Sequence, residues 1–159
     1  MHLSNDFDYT TVTSALIKAI KDGTGYPLIA DNSAGNPPTY PYCSYTITSP
    51  KIDIERDYEG AIFELVVSLT WHGTSSSVGV LNLAKKAESY LKSSQGRSFL
   101  EKQGIVVVST MNFSQRDNFI SIDYERTAGF DVQLRVRDTY EDDVEPIEGF
   151  EINNNGGTN

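Results

Sequence analysis

The side chains that could do nucleophilic or acid–base chemistry are few in this chain. They are two histidines, His2 and His72, and a single cysteine, Cys43. A serine hydrolase would need His72 as its base, but the G-x-S-x-G turn that exposes a nucleophilic serine is absent. Cys43 could pair with His72 as a nucleophile, but a buried structural cysteine is far more common in such a strand-like setting. We therefore expect no catalytic residue.

Carboxylates cluster in two segments, and neither has the spacing of a metal or acid–base site. The run 141–145 lacks the D-x-[DN]-x-[DN]-G pattern of a calcium loop. A solvated or partner-facing acidic segment is favoured there over a weak divalent-ion site. The run 51–59 mixes acidic and basic residues, as a charged hairpin would, whereas carboxylates for acid–base work usually lie in a cleft and not on a hairpin tip. We predict no metal and no cofactor.

Three tyrosines, Tyr40, Tyr42 and Tyr45, lie close together. A core or subunit-interface cluster is favoured over a ligand site for them. A small ligand-binding or enzymatic domain that uses 40–45 and 71–72 remains an alternative. It requires a concave pocket with convergent polar groups.

Two segments alternate apolar and polar residues, which predicts strands with one face in a core. They are 61–72 and 130–137. Their second face is half polar, as expected where a sheet meets water or another subunit. We predict that eight apolar strand residues are buried together against five helical ones. The strand residues are Phe63, Leu65, Val67, Leu69, Phe130, Val132, Leu134 and Val136, and the helical ones are Leu16, Ile20, Leu83, Ala87 and Leu91.

Two main helices are predicted from apolar spacings of three and four. The first runs over 8–22, with Asp6 or Asp8 as its cap and Gly23 as its stop. The second begins at a serine among 75–77 and presents Val80 and Leu91 on its apolar face.

The remaining segments complete the predicted order α-β-β-α-β-β. Residues 23–38 are expected to form a long surface loop, 40–48 a strand, and 50–60 a protruding hairpin. One short helical turn is expected within 96–104. The β-branched run 105–108 predicts a central strand covered on both faces, followed by a loop over 113–127. The fold class is α+β, a small mixed or antiparallel sheet of about four strands with both helices on one face.

Length and charge set further bounds. A chain of 159 residues fits a single domain over 1–150, with a flexible tail over 151–159. A net charge of −9 argues against a protein that grips nucleic acid. No apolar run approaches the roughly 20 residues of a membrane span, and one cysteine is consistent with the reducing cytoplasm.

The order of elements resembles that of tail terminator proteins of tailed bacteriophages, and in particular the neck-terminator branch. The residues that carry the likeness are the pairs 41–42 and 49–50, the run 123–126 and the strand at 130–134, within about 8–150. The resemblance implies a structural virion protein with no catalytic residues. It implies a ring, typically of six subunits, that caps the head-proximal end of the tail tube, stops tube polymerisation and joins the tail to head-completion proteins.

The implied partners are further copies of the chain, the tail tube protein, head-completion or connector proteins and the tail sheath, with assembly in the host cytoplasm. DNA would pass through the channel without specific binding, and no membrane is involved. Another neck or tail-tube ring subunit is the alternative within the same particle. We expect interfaces at the hairpin, the last strand and the acidic run. Their residues are Ile52, Asp53, Ile54, Glu55, Arg56, Asp57, Arg135, Arg137, Glu141, Asp142 and Asp143.

Overall fold

Three helices and five strands form along the residues that this computed structural model describes, which are 7–54, 62–74 and 76–137. In chain order they are α1 (Tyr9–Thr24), β1 (Leu28–Ala30), β2 (Tyr42–Asp53), β3 (Ile62–Gly73), α2 (Ser77–Lys92), α3 (Ser94–Lys102), β4 (Val106–Gln115) and β5 (Arg126–Arg137). The α+β prediction is confirmed, with one strand more than the four or so expected.

The five strands form one open mixed sheet in the order β1-β2-β3-β5-β4. β1 runs parallel to β2, and the other neighbours are antiparallel. β5, the last strand in the described chain, inserts between β3 and β4, so that Leu65 lies opposite Leu134. The centre of the sheet is therefore made by strands that are distant in sequence.

The helices pack on one face of this sheet and enclose the core. All eight predicted strand residues are buried there, and so are Leu16, Ile20, Ala87 and Leu91. Leu83 is only partly buried at the margin of the core. Burying a side chain such as leucine contributes about 1.5–3 kcal/mol, so this face supplies most of the apolar stabilisation.

The ends of α1 follow from its capping residues. The Asp8 carboxylate accepts a hydrogen bond from the Thr10 N–H at 2.9 Å and so begins the helix. The helix ends at Gly25, whose φ of 85° is left-handed, and not at Gly23 as the sequence suggested. Gly23 instead allows close packing, because a Cβ there would overlap the ring of Tyr90.

Two serines begin the other helices. The Ser76 hydroxyl accepts from the Gly79 N–H at 3.0 Å and caps α2. Ser93 does the same for α3, accepting from the Gly96 N–H at 3.1 Å. The expectation of one short turn here was wrong, because α3 is a nine-residue helix.

Three strand predictions are corrected. β1 lies inside the predicted surface loop, where only three residues pair with β2. β2 continues to Asp53, with an irregular register around Pro50, which has no N–H to donate. β4 is an edge strand and not a central one, since Val107 is buried while Val106 and Val108 are half-exposed.

Some predictions fall on residues outside those described. The hairpin tip, 55–61, and the tail, 151–159, belong to this group. Among the described residues, no helix is both long and apolar enough to cross a membrane.

Candidate assembly surface

The side of the sheet that faces away from the helices is called the outer face here. It carries polar side chains from β2, β3 and β5, most of which are half-buried or buried because they bond to one another. Its residues are Tyr42, Ser44, Thr46, Glu64, Val66, Ser68, Thr70, His72, Asp131, Gln133 and Arg135.

At one end of the outer face, Glu64 holds two side chains of the neighbouring strand. Its carboxylate accepts a hydrogen bond from the Gln133 amide and forms an ion pair with Arg135 at 2.7 Å. Glu64 is only 5% exposed, whereas the Arg135 side chain is 45% exposed. Arg135, predicted as an interface residue, therefore already has a partner in its own chain.

The middle of the outer face is organised by Arg116, which the sequence did not single out. Its guanidinium donates to the hydroxyls of Ser68 at 2.7 Å and Thr70 at 3.0 Å, and to the Asp131 carboxylate at 3.1 Å. The Asn112 amide also donates to Asp131, at 2.8 Å. Burial would raise the pKa of the Asp131 carboxyl, but these hydrogen bonds and the charge of Arg116 outweigh it and lower the pKa.

The other end of the outer face holds a cluster around His72. Its Nε2 lies 2.9 Å from the Ser44 hydroxyl, and its ring stacks on Tyr42 with centroids 4.6 Å apart. Nδ1 lies 3.3 Å from a Glu125 oxygen but without hydrogen-bond geometry. Tyr40 donates to the same carboxylate at 3.1 Å. Burial, and then Glu125, raise the pKa of Tyr40 to about 12.

This cluster does not form the nucleophilic pair considered from the sequence. Cys43 points into the core opposite Trp71, while His72 lies on the outer face. Burial raises the pKa of the Cys43 thiol far above its ordinary value, which keeps it protonated. Ser44 is itself buried against His72.

A pocket of about 240 Å³ opens beside the His72 cluster, between the sheet and the segment that follows β1. Ser44, His72 and Asp31 are among its polar lining groups. A concave site with convergent polar groups exists here, as the ligand-binding alternative requires. Its volume lies below the roughly 300–1,000 Å³ of small-molecule pockets. Within the described ranges, no three His, Cys, Asp or Glu side chains are placed to hold a metal ion.

The predicted interface residues are only partly described. Residues 52 and 53 end β2 and residue 54 follows it, while 55–57 lie outside the described residues. Arg135 and Arg137 are both exposed near the end of β5. The acidic residues 141–143 also fall outside, so their approach to Arg137 stays a prediction.

The segment that joins β4 to β5, residues 116–125, is called the Phe119 loop here. At its tip Phe119 is 96% exposed and Ile120 is 86% exposed. Its base is fixed by Asp117, which accepts from the Thr127 N–H at 2.9 Å and pairs with Arg126 at 3.3 Å. The sequence indicated only a loop here. Two adjacent large apolar residues within a loop were the available signal.

The sequence matches the family model described as "Phage neck terminator protein" over residues 10–158. The chain belongs to this family. No curated protein matches it. Phage neck terminators are structural and not enzymatic, which agrees with the geometry around Cys43 and His72. The family membership inferred from the resemblance is confirmed. The protein is a structural component of the phage tail or neck.

Proposed function

We propose that this neck terminator forms a closed ring of six subunits on the head-proximal end of the tail tube. The ring stops tube polymerisation and joins the tail to head-completion proteins. Its open centre lets DNA pass. A ring of identical subunits needs two different surfaces on each copy that fit one another, a heterologous contact.

The observation that carries this proposal is the outer face. The described helices cover only the opposite side of the sheet, which leaves a broad surface of bonded polar groups. Side chains already fixed by partners such as Glu64 and Arg116 lose little conformational freedom when a second protein docks on them. A prearranged polar surface of this kind suits specific assembly.

The charge of the chain suits a DNA channel. A net charge of −9 per copy disfavours tight binding of phosphates by the ring. A wall with few cations lets DNA slide through, whereas clustered lysines and arginines would retain it.

We assign the ring and tube contacts to the predicted interface residues. The hairpin around residues 52–57 reaches the next subunit or the tube. Arg137, with Arg135 beside it, meets the acidic residues 141–143 of a neighbour. Opposite charges in such a contact guide orientation and association rate more than affinity.

The test is tail assembly in phage lacking this protein, viewed by electron microscopy. Tubes without a terminator should vary in length and stay unjoined to heads, and added protein should give capped tubes that bear a ring. If the protein instead binds to heads and leaves the tubes unchanged, it would be reassigned to another neck ring. Long stacks of the purified protein would indicate a tube subunit.

Charge reversal tests the ring contact. Arg137→Glu is used alone, because Arg135→Glu would place a carboxylate beside the buried Glu64. Arg137→Glu should weaken assembly, and added salt should partly restore it by screening the repulsion. Salt should slightly weaken the unmodified ring. Equal assembly of both proteins at all salt concentrations contradicts the assignment.

Deletion of residues 52–58 tests the hairpin. The variant should stay folded, because the core residues in the described part of the chain lie outside the deleted segment. It should not complete tails. Normal tail completion by the deletion variant would remove the hairpin from the interface.

A further inference from the structure

The Phe119 loop presents two apolar side chains on a fixed base. Asn118 adds to the fixation, since its side-chain oxygen accepts from the Ile120 N–H at 2.8 Å. Tyr124, on the same loop, is also exposed. Large apolar side chains held away from their own core are typical anchors of protein interfaces.

A cavity of suitable size for such an anchor lies elsewhere on the same chain. A cavity of about 520 Å³ lies between α1 and α3. Ala15 and Phe99 contribute apolar surface to it, and Ser14 lies at its exposed side. It has the volume of a site that accepts a few large side chains.

The charges of the two surfaces are complementary. Among the described residues that line the cavity, Lys18 alone is charged. Its exposed ammonium group pairs with Asp22 at 3.2 Å and lies 6.0 Å from the centre of the Phe99 ring. The Phe119 loop carries the exposed carboxylate of Asp123. A loop with an apolar tip and an exposed carboxylate therefore fits a cavity that has apolar surface at Ala15 and Phe99 and a cation at its edge.

The two surfaces belong to different parts of the fold. The loop joins β4 to β5 at one edge of the sheet, whereas the cavity lies in the helix layer. A contact between them in two copies is heterologous, so one copy keeps a free cavity and the other keeps a free loop for further neighbours.

We infer that Phe119 and Ile120 of one subunit insert into the cavity between α1 and α3 of the next subunit. The contact is an anchor within a larger interface, because two side chains bury less area than a stable interface needs. The inference rests on the proposed ring and names the residues that close it.

Cysteine cross-linking tests the contact, because the only native cysteine, Cys43, is fully buried. Phe119→Cys and Ser14→Cys are made as separate proteins and added together to tubes that lack the terminator. A short bismaleimide should give a cross-linked dimer from the mixture and from neither protein alone. The matched control replaces Phe119→Cys with Val78→Cys, at an apolar position on α2 that is 63% exposed. It should give no cross-linked dimer.

The outcomes separate the contact from the ring. Capped tubes without a cross-link overturn the contact and leave the proposed function intact. If wild-type protein fails to cap the tubes, both the contact and the proposed function are overturned. A cross-link from Phe119→Cys to a tube or head protein, and none to Ser14→Cys, assigns the loop to that partner and overturns the inference.

Substitutions at the two surfaces give an independent measure. The double variant Phe119→Ser with Ile120→Ser should cap tubes at least about tenfold less well, as loss of an anchor does. Val78→Ser should cap them normally. Ser14→Trp, which fills the cavity, should match the loop variant. Normal capping by both variants, with unchanged thermal unfolding, overturns the inference.

Discussion

The two faces of the sheet are made by the same strands but are held in different ways. On β3, Leu65 is buried in the core, while its neighbours Glu64 and Val66 belong to the outer face. The core face relies on apolar burial against helices, and the outer face on hydrogen bonds and ion pairs between strands. Bonds of the second kind add little stability but fix side chains in place. Strand alternation thus separates the residues that stabilise this protein from those that suit recognition.

The largest effect should come from the core face. Leu65→Ala should lower the free energy of unfolding by about 2–5 kcal/mol, because it leaves a cavity beside Leu134. The matched change Val66→Ala, one residue away on the outer face, should cost less than about 1 kcal/mol. Urea unfolding of both variants provides the measurement. Equal losses would mean that the two faces do not differ in this way.

Gly129 on β5 should be an exception to the tolerance of the outer face for substitution. Gly129 lies opposite Thr70, and a Cβ there would overlap the Leu69 carbonyl. Gly129→Ala should therefore destabilise the protein by about 1–3 kcal/mol, as overpacking does. Thr46→Ala, at an exposed position on β2, should stay within about 0.5 kcal/mol. A neutral Gly129→Ala in thermal or urea unfolding would refute the close approach.

A smaller effect should come from the pair between Glu64 and Arg135. A double-mutant cycle with alanine at both positions should give a coupling of about 1 kcal/mol, since Glu64 is buried but Arg135 is half-exposed. The same cycle at the exposed pair of Lys18 and Asp22 should give a coupling near zero. Similar couplings at both pairs would show that burial of Glu64 adds nothing.

The smallest effect concerns pH. The pKa of Asp131 is lowered in the folded protein, so its contribution to stability is present above its ordinary pKa and is lost as the pH falls through the lowered value. The stability difference between wild type and Asp131→Asn should thus be largest above about pH 4 and shrink in more acidic solution. Urea unfolding from pH 6 to pH 3 measures it. A difference that stays constant with pH would contradict the lowered pKa.

Local sequence pattern predicted the faces of β3 and β5, because alternation records burial directly. It did not predict that β4 is an edge strand, since β5 takes the place beside β3 and joins from far along the chain. β1 is too short to show a pattern, and α3 contains few apolar residues. The Arg116 contacts with Ser68 and Thr70 span 48 and 46 residues, so no local spacing could indicate them.

The place of β5 in the sheet also governs when the protein can fold. β3 ends at Gly73, but its partner begins only at Arg126, where the two residues pair. At roughly 5–20 residues per second, a ribosome needs several seconds to make the segment between them. During that time one edge of β3 is paired with β2, and the other edge lacks its partner strand. Because non-local pairing is slow, each new subunit depends on β5 to become competent for assembly.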